Sequence, residues 1–537
     1  MKIKKPLVFI GILAGLVSLS GCSLIWNIID DVVDDGERSN NNSGADFDVD
    51  KVDVDGKTII QQTYKDYSKA NVYNIDYCPS SGDVKMLIIP VWFSDSNKYI
   101  TITKKDSLKE QIRKAYLGSN EETGWRSVKT YYEELSQGAL SISGTISDWY
   151  STSVSSNIAG SENFDTAGLV KTAVDWYFTN NPSDNKADYD SDNNGYLDAV
   201  MLIYGAPDYS ALGNNGLSNL WAYAYWVQEP NETTEPIPNV YFWASYDFLF
   251  SSGAEALLMV GTSYGSGDTT HCLVDAHTYI HEMGHVFGLD DYYDYGPNGY
   301  RPAGGFSMQD WNIGCHDPFS AMALGWANPY VVQENAEVEI GTFQKTRDLV
   351  LLTNKWNNLG SPFDEYFLLE LYSPTGLNEM DCKYTYDNLI KGPSNVGIRL
   401  WHVDARLAIC VGVANDEPMF SSDKITNTTK AKDTLVYQAF TNSFDDGDYG
   451  SVFGERYYNH NLLQLIRRNT KEKIQTENTI TNEDLFSNGS YALEQYRSQF
   501  VNSAPFKMNN GGFASWNIKI EISGSGHDAK AKLSIVK

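Results

Sequence analysis

The sequence is poor in positive charge. Against 69 Asp and Glu it carries 41 Lys and Arg in 537 residues, a formal net charge of −28. A groove that tracks a nucleic-acid backbone needs clustered Lys and Arg, so nucleic-acid partners are excluded. Long apolar runs are also scarce. One occurs at the N-terminus, from Pro6 to Leu19, and no second run of spanning length follows. No repeat of solenoid type is present, and helical periodicity is rare beyond Pro329. Aromatic side chains, by contrast, are plentiful: 35 Tyr and 13 Trp argue against a largely disordered polypeptide. The length is too great for one core and points to two or three domains.

Lys2, Lys4 and Lys5, the apolar run and Ser20-Gly21-Cys22 have the layout of a secretory signal. The run is short for a membrane span, which needs about 20 apolar residues. Leu19-Ser20-Gly21-Cys22 resembles the bacterial lipobox. That resemblance implies cleavage before Cys22, a lipid on Cys22, and an exported protein held to the bacterial membrane, facing the exterior or periplasm. Plain secretion is the alternative. Residues 1–21 then form a signal peptide, and the Asp-, Asn-, Ser- and Gly-rich sequence that follows makes 22–75 a flexible tether. Export permits disulfides. Five cysteines remain besides Cys22, so at least one is unpaired; Cys382 with Cys410 and Cys272 with Cys315 are the pairs to consider.

Val84 to Phe93 is almost continuously apolar, as in a strand buried on both faces, although Pro90 suggests a strand end or a sheet edge. Ser127 to Gln137 reads as a helix with Ser127 as N-cap and Gly138 past its end. Asp165 to Thr179 reads as a second helix and Leu197 to Tyr204 as another buried strand. This alternation predicts an α/β domain over 76–335. Beyond it, 348–353, 365–372, 397–403 and 434–439 are strand-like, and Trp516 to Ser523 alternates cleanly. These runs predict a mainly β, sandwich-like domain over 336–537.

The chemistry centres on His281-Glu282-Met283-Gly284-His285, an H-E-x-x-H string. On a helix, residues i and i+4 share a face, so both imidazoles can reach one Zn²⁺. Glu282 lies about 100° round the helix, where it can take a proton from a water on the metal as general base. Gly288, three residues on, marks a turn, and Asp291, three further, can return as the third ligand. Asp290, Asp294 and His277 compete with it for that role. Met308 follows where a Met-turn would pass beneath the metal.

The strings HEMGHVFGLDDYYD and SMQDWNIGCHDPFSAMALGW (Ser307 to Trp326) resemble the M6 family of secreted bacterial metallopeptidases, the immune inhibitor A group. GIRLWHVD (Gly397 to Asp404) is similar to a segment that follows the catalytic domain there. The resemblance implies a zincin-like (metzincin-like) catalytic domain and zinc-dependent peptide hydrolysis. It implies His281, His285 and Asp291 as ligands, Glu282 as base and Met308 as the turn. Asp290 stands where family members often have Pro.

Asp190 to Asp198 reads DSDNNGYLD and matches an oxygen-rich Ca²⁺ loop. Asp190, Asp192 and Asn194 offer side-chain oxygens, Tyr196 its carbonyl, and Asp198 stands at the ninth position. The twelfth position is Met201, so the bidentate Glu of an EF-hand is missing; Asp188 is an upstream substitute. Weaker features remain. A Cys78 thiolate could cap the zinc and confer latency, and one of Tyr292, Tyr293 and Tyr295 could stabilise an oxyanion. His402 and His460 read as packed or surface residues, and Arg467-Arg468 with Lys471 and Lys473 as a solvated face.

These features predict a zinc endopeptidase at the bacterial surface with structural calcium, protein or peptide substrates and a monomeric state. A non-catalytic adhesin or carbohydrate-binding protein on the same scaffold is the alternative, and zinc hydrolysis of a non-peptide substrate is a third reading.

Overall fold

A computed structural model describes residues 44–537 apart from 69–74, 214–215, 228, 251–272, 294–300, 358, 386–390, 412–418, 421–433, 439–441, 443–460, 471–478, 501–507, 509–511 and 513. The signal, Cys22, Asp294, Tyr295, Cys272, His460, Lys471 and Lys473 lie outside the described residues.

The described chain begins with β1 (Val52–Asp53) and α1 (Tyr64–Ser68). Next come β2 (Gly82–Trp92), α2 (Lys105–Leu117), α3 (Val128–Leu135), β3 (Leu140–Ile146) and β4 (Tyr150–Ser151). They are followed by α4 (Thr166–Asn180), β5 (Val200–Tyr204), β6 (Tyr223–Trp226) and β7 (Val240–Ser245). These strands form one sheet in the order β3-β2-β5-β7-β6, with β4 also on β2. All pair in parallel except β6, which runs antiparallel to β7. Residues of β2 alternate between two cores, Met86 and Ile88 on one side, Leu87 and Ile89 on the other. Cover on both faces explains the unbroken apolar sequence.

Pro90 does not mark an edge, because β2 is internal to the sheet. It pairs with Ile203 of β5, while on its other side the pairing with β3 stops at Ile88 and that with β4 starts at Val91. The proline lies opposite that break in the ladder, where a missing N–H is tolerated. The helix starts follow their caps. In α3 the Ser127 hydroxyl accepts from the Thr130 N–H and the Thr130 hydroxyl from the Ser127 N–H. In α4 the Asp165 carboxylate accepts from the Gly168 N–H at 2.9 Å.

The chain continues through α5 (His277–Val286) and α6 (Met308–Trp311) to β8 (Tyr330–Val332), β9 (Ala336–Gly341), β10 (Val350–Leu352) and β11 (Glu365–Tyr372). Then come α7 (Glu379–Lys383), β12 (Gly397–Asp404), β13 (Leu463–Ile466), β14 (Gly489–Ala492), β15 (Asn517–Ser523) and β16 (Lys530–Val536). Two five-stranded sheets result, β8-β10-β11-β12-β13 and β1-β9-β16-β15-β14. Leu352, Phe367 and Leu400 of the first share a core with Ile340, Ile518 and Leu533 of the second. The opposite face of the first sheet, with Leu351, Leu368 and Trp401, shares another core with Tyr279, Ile280 and Met283 of α5. The chain is therefore mixed α/β with a β-rich later part, and the residues on either side of 335 share one core. The strand expected at 434–439 is present as Thr434–Gln438, in a separate three-stranded sheet.

Two expectations are overturned. The later part of the expected flexible tether is built into the fold: β1 pairs in parallel with β9, and Tyr64 of α1 is 1% exposed. Its apolar anchors, Ile60 and Tyr64, are few and widely spaced, which left the segment reading as a linker. Of the cysteines in the two pairs to consider, Cys315 and Cys382 are buried free thiols, while Cys272 and the Cys410 side chain lie outside the described residues. Cys382 Sγ lies 3.0 Å from the Tyr372 hydroxyl. Arg467 is not simply solvated, because its Nε donates to Asp484 at 2.8 Å. His402 is packed, with Nε2 2.9 Å from Glu365. Among the described residues, no helix is long and apolar enough to cross a membrane.

Candidate metal centre

Helix α5 places His281 and His285 one turn apart on one face, with their Nε2 atoms 3.2 Å from each other. The chain turns at Gly288, whose φ of +103° is a left-handed conformation that favours glycine. A Cβ there would stand 2.8 Å from the Tyr77 ring and 3.0 Å from Tyr64 Cβ, so the site also has no room for a side chain. The turn brings back Asp291, with Oδ1 3.0 Å from His281 Nε2 and 3.3 Å from His285 Nε2. The Tyr292 N–H donates to the Gln309 carbonyl at 2.9 Å and fixes the returning strand.

The other ring nitrogens orient the imidazoles. His281 Nδ1 lies 2.7 Å from the Met308 carbonyl and His285 Nδ1 2.7 Å from the Leu289 carbonyl. A carbonyl only accepts, so each Nδ1 carries a proton, which leaves Nε2 as the ring atom that can turn to a metal at the shared centre. Three ligands about 2.0–2.1 Å from a tetrahedral ion lie roughly 3.3 Å from one another. The three observed separations fit that figure, and two imidazoles with one carboxylate are a donor set suited to zinc.

Glu282 is buried beside this centre, and its Oε2 has no hydrogen-bond partner. Burial raises its pKa, against the opposing pull of His285 and His281, and the Ala224 N–H of β6 bonds to the carboxylate. Around His285, burial lowers the pKa but the Asp291 carboxylate outweighs it and lifts the ring to about 10. In Asp291, burial opposes ionisation, yet the two imidazoles hold its carboxyl far below the usual range.

The competing third ligands part company with the site. His277 stacks on Trp125 at 4.0 Å and lies between Asp275 at 2.8 Å and Asp381 at 3.3 Å, so its ring is occupied elsewhere. Asp290 is not among the three converging groups. Neither is Cys78, whose buried thiol has Asp198, Lys65 and Asp76 as charged neighbours, at the acidic loop. Of the tyrosines, Tyr292 turns its hydroxyl to Ser320 at 2.8 Å, whereas Tyr293 bonds to Asp291.

Sequence reasoning missed several supporting groups. Gln309 lies against Gly284, where any Cβ would collide with its side chain. Tyr132 donates to the Ile280 carbonyl at 2.6 Å and meets His316 Nε2 at 3.1 Å. The carbonyls of Met308 and Leu289 act regardless of side chain and leave no residue-type signal.

In a second cluster, carboxylate oxygens of Asp190, Asp192 and Asp198 lie within 4.8 Å of one another. Asp190 accepts the N–H groups of Asn194 and Gly195, each at 2.9 Å. Asp198 is 3% exposed, its Oδ1 has no hydrogen-bond partner, and burial pushes it up to about 7. Asn194 donates through Nδ2 to Asp76 at 2.7 Å, and its Oδ1 accepts from the Tyr196 N–H. Asp188 is exposed and stands outside the converging group, so the upstream oxygen expected from it is not supplied. Three hard oxygens, one of them buried and unsatisfied, suit Ca²⁺.

No protein-family model matches this chain, and no curated protein is significantly similar to it.

Proposed function

We propose that the chain is a zinc-dependent endopeptidase of zincin-like fold, similar to the M6 metallopeptidases, exported and anchored through Cys22 at the bacterial surface. The observation that carries this reading is the convergence of His281, His285 and Asp291 on one point with the buried Glu282 carboxylate, its Oε2 without a hydrogen-bond partner, beside it. Zinc held there would supply a Lewis acid that polarises a peptide carbonyl and lowers the pKa of water. Glu282 takes the proton of the attacking water as its oxygen bonds to the carbonyl carbon. The same carboxyl passes that proton to the amide nitrogen as the C–N bond breaks. Burial aids the first step by raising the proton affinity of Glu282, and the Ala224 N–H keeps the carboxylate oriented. In this reading Tyr293, whose hydroxyl bonds to Asp291, donates to the developing oxyanion.

A peptide substrate is favoured because β6 ends the central sheet next to Glu282. An extended chain can lie along such a strand. The Asp190–Asp192–Asp198 loop holds structural calcium in this reading, and the protein acts as a monomer. The test is hydrolysis of casein or a peptide library by the wild type and Glu282→Gln, with zinc content measured in both. A loss on the order of 10²–10⁴-fold in the variant is expected. Equal activity, or none in either form despite bound zinc, sinks the proposal.

A further inference from the structure

We propose that Lys65 is a built-in counter-cation of the Asp190–Asp192–Asp198 cluster, in competition with calcium for Asp192, and that the segment carrying it links the loop to the turn between His285 and Asp291. This rests on the reading of the loop as a calcium site.

Three observations support it. First, the cluster is more than surface acidity, because Asp198 is buried and its Oδ1 has no hydrogen-bond partner. Second, the Lys65 ammonium comes from a separate segment and is itself 9% exposed. It lies 3.1 Å from Asp192 Oδ2, 2.8 Å from Asp76 Oδ1 and 2.7 Å from the Tyr77 carbonyl. An ammonium is buried only where anions and carbonyls replace its water, and here the acidic loop provides one of them. Third, the residue before it, Tyr64, packs against the turn at Gly288. Tyr64 Cβ and the Tyr77 ring leave no space for a side chain at Gly288, and the Cys78 N–H donates to the Val286 carbonyl at 3.0 Å. Neighbouring residues of one short helix thus touch the loop and the ligand turn.

A divalent cation among the three carboxylates repels the ammonium on Asp192. Lys65 keeps Asp76 and the Tyr77 carbonyl when it yields, so the competition is for Asp192 alone. Without calcium, Lys65 offsets part of the loop's charge and keeps it folded. With calcium, α1 is released on one side, and the change reaches Gly288 through Tyr64. Linkage requires the converse, that removing the ammonium strengthens calcium binding.

The test is calorimetric calcium titration of the purified full-length protein, Lys65→Met and Lys65→Arg, with hydrogen exchange read on Tyr64–Ser68 and Leu289–Asp291. Lys65→Met is expected to bind calcium about tenfold more tightly than wild type, and Lys65→Arg to match wild type. Calcium is expected to change exchange at both segments of the wild type. Equal or weaker binding by Lys65→Met overturns the inference and leaves the calcium site standing. No calcium binding by any form overturns both together. If Lys65→Met folds only with calcium added, the inference is supported; if calcium does not restore its fold, the inference is overturned.

Discussion

The two clusters solve opposite problems. At His281, His285 and Asp291, two rings and one carboxylate can sit close together without an ion, since the carboxylate attracts the rings rather than repelling them. The matrix around them is regular: one helix, one glycine turn and two carbonyls fix every ligand. At Asp190, Asp192 and Asp198, three acids repel each other, and the loop depends on backbone N–H groups and on Lys65 for relief. The first site is therefore organised by orientation, and the second by neutralisation.

The sharpest way to break this contrast is Asp291→Ala. It removes the proposed third zinc ligand and the partner of both imidazoles, and zinc affinity should fall by on the order of a hundredfold or more. Calcium-dependent stabilisation should be unchanged, which paired titrations of the two metals would check.

His277→Gln comes next. The ring is held between Asp275 and Asp381, and removing its charge leaves buried carboxylates unpaired, at roughly 3–5 kcal/mol. Burial lowers its pKa, but Asp381 and Asp275 outweigh this and raise it to about 10. A raised pKa gives stability that is complete below the unfolded value of about 6.5 and is lost as pH rises through about 10. The melting-temperature gap between wild type and variant should thus be wide at pH 6 and narrow by pH 10; a constant gap contradicts the charged state.

Gly288→Ala tests orientation without touching a ligand. The left-handed backbone costs about 1–2 kcal/mol with a Cβ, and the Tyr77 ring must shift as well. Zinc affinity should drop about tenfold while circular dichroism stays native. Unchanged affinity would mean that the turn does not set the position of Asp291.

The smallest effect changes sign. Asp198→Asn removes one of three repelling charges, so the calcium-free protein should gain about 1 kcal/mol. In millimolar calcium the same variant should be less stable than wild type. Destabilisation under both conditions would show that Asp198 is held by packing rather than by a cation.

Much of the candidate centre was legible because its signals are local. His281, Glu282 and His285 fall on one helix, Gly288 marks its own turn, and Met308 lies close downstream. The acidic loop was readable for the same reason, except that Asp188 points out to solvent. What escaped depends on partners distant in sequence. Lys65 meets Asp192 through folding alone, and the strand-like β1 is only two residues long. Which core the middle sheet faces is not legible either, because residues such as Leu351 and Leu352 carry the same apolar signal whichever core they face.

That middle sheet, buried on both sides, has a consequence for timing. Strand β9 lies between β1, from the start of the described chain, and β16, from its end. The sheet that backs α5 is therefore covered only when the last strands arrive. A chain delivered N-terminus first holds its histidines long before it can hold them in place, and pairing across such separations is slow. Maturation of the candidate metal centre is thereby tied to completion of the polypeptide, so a chain truncated before Lys530 should carry the whole motif and lack the rigid backing that aims it.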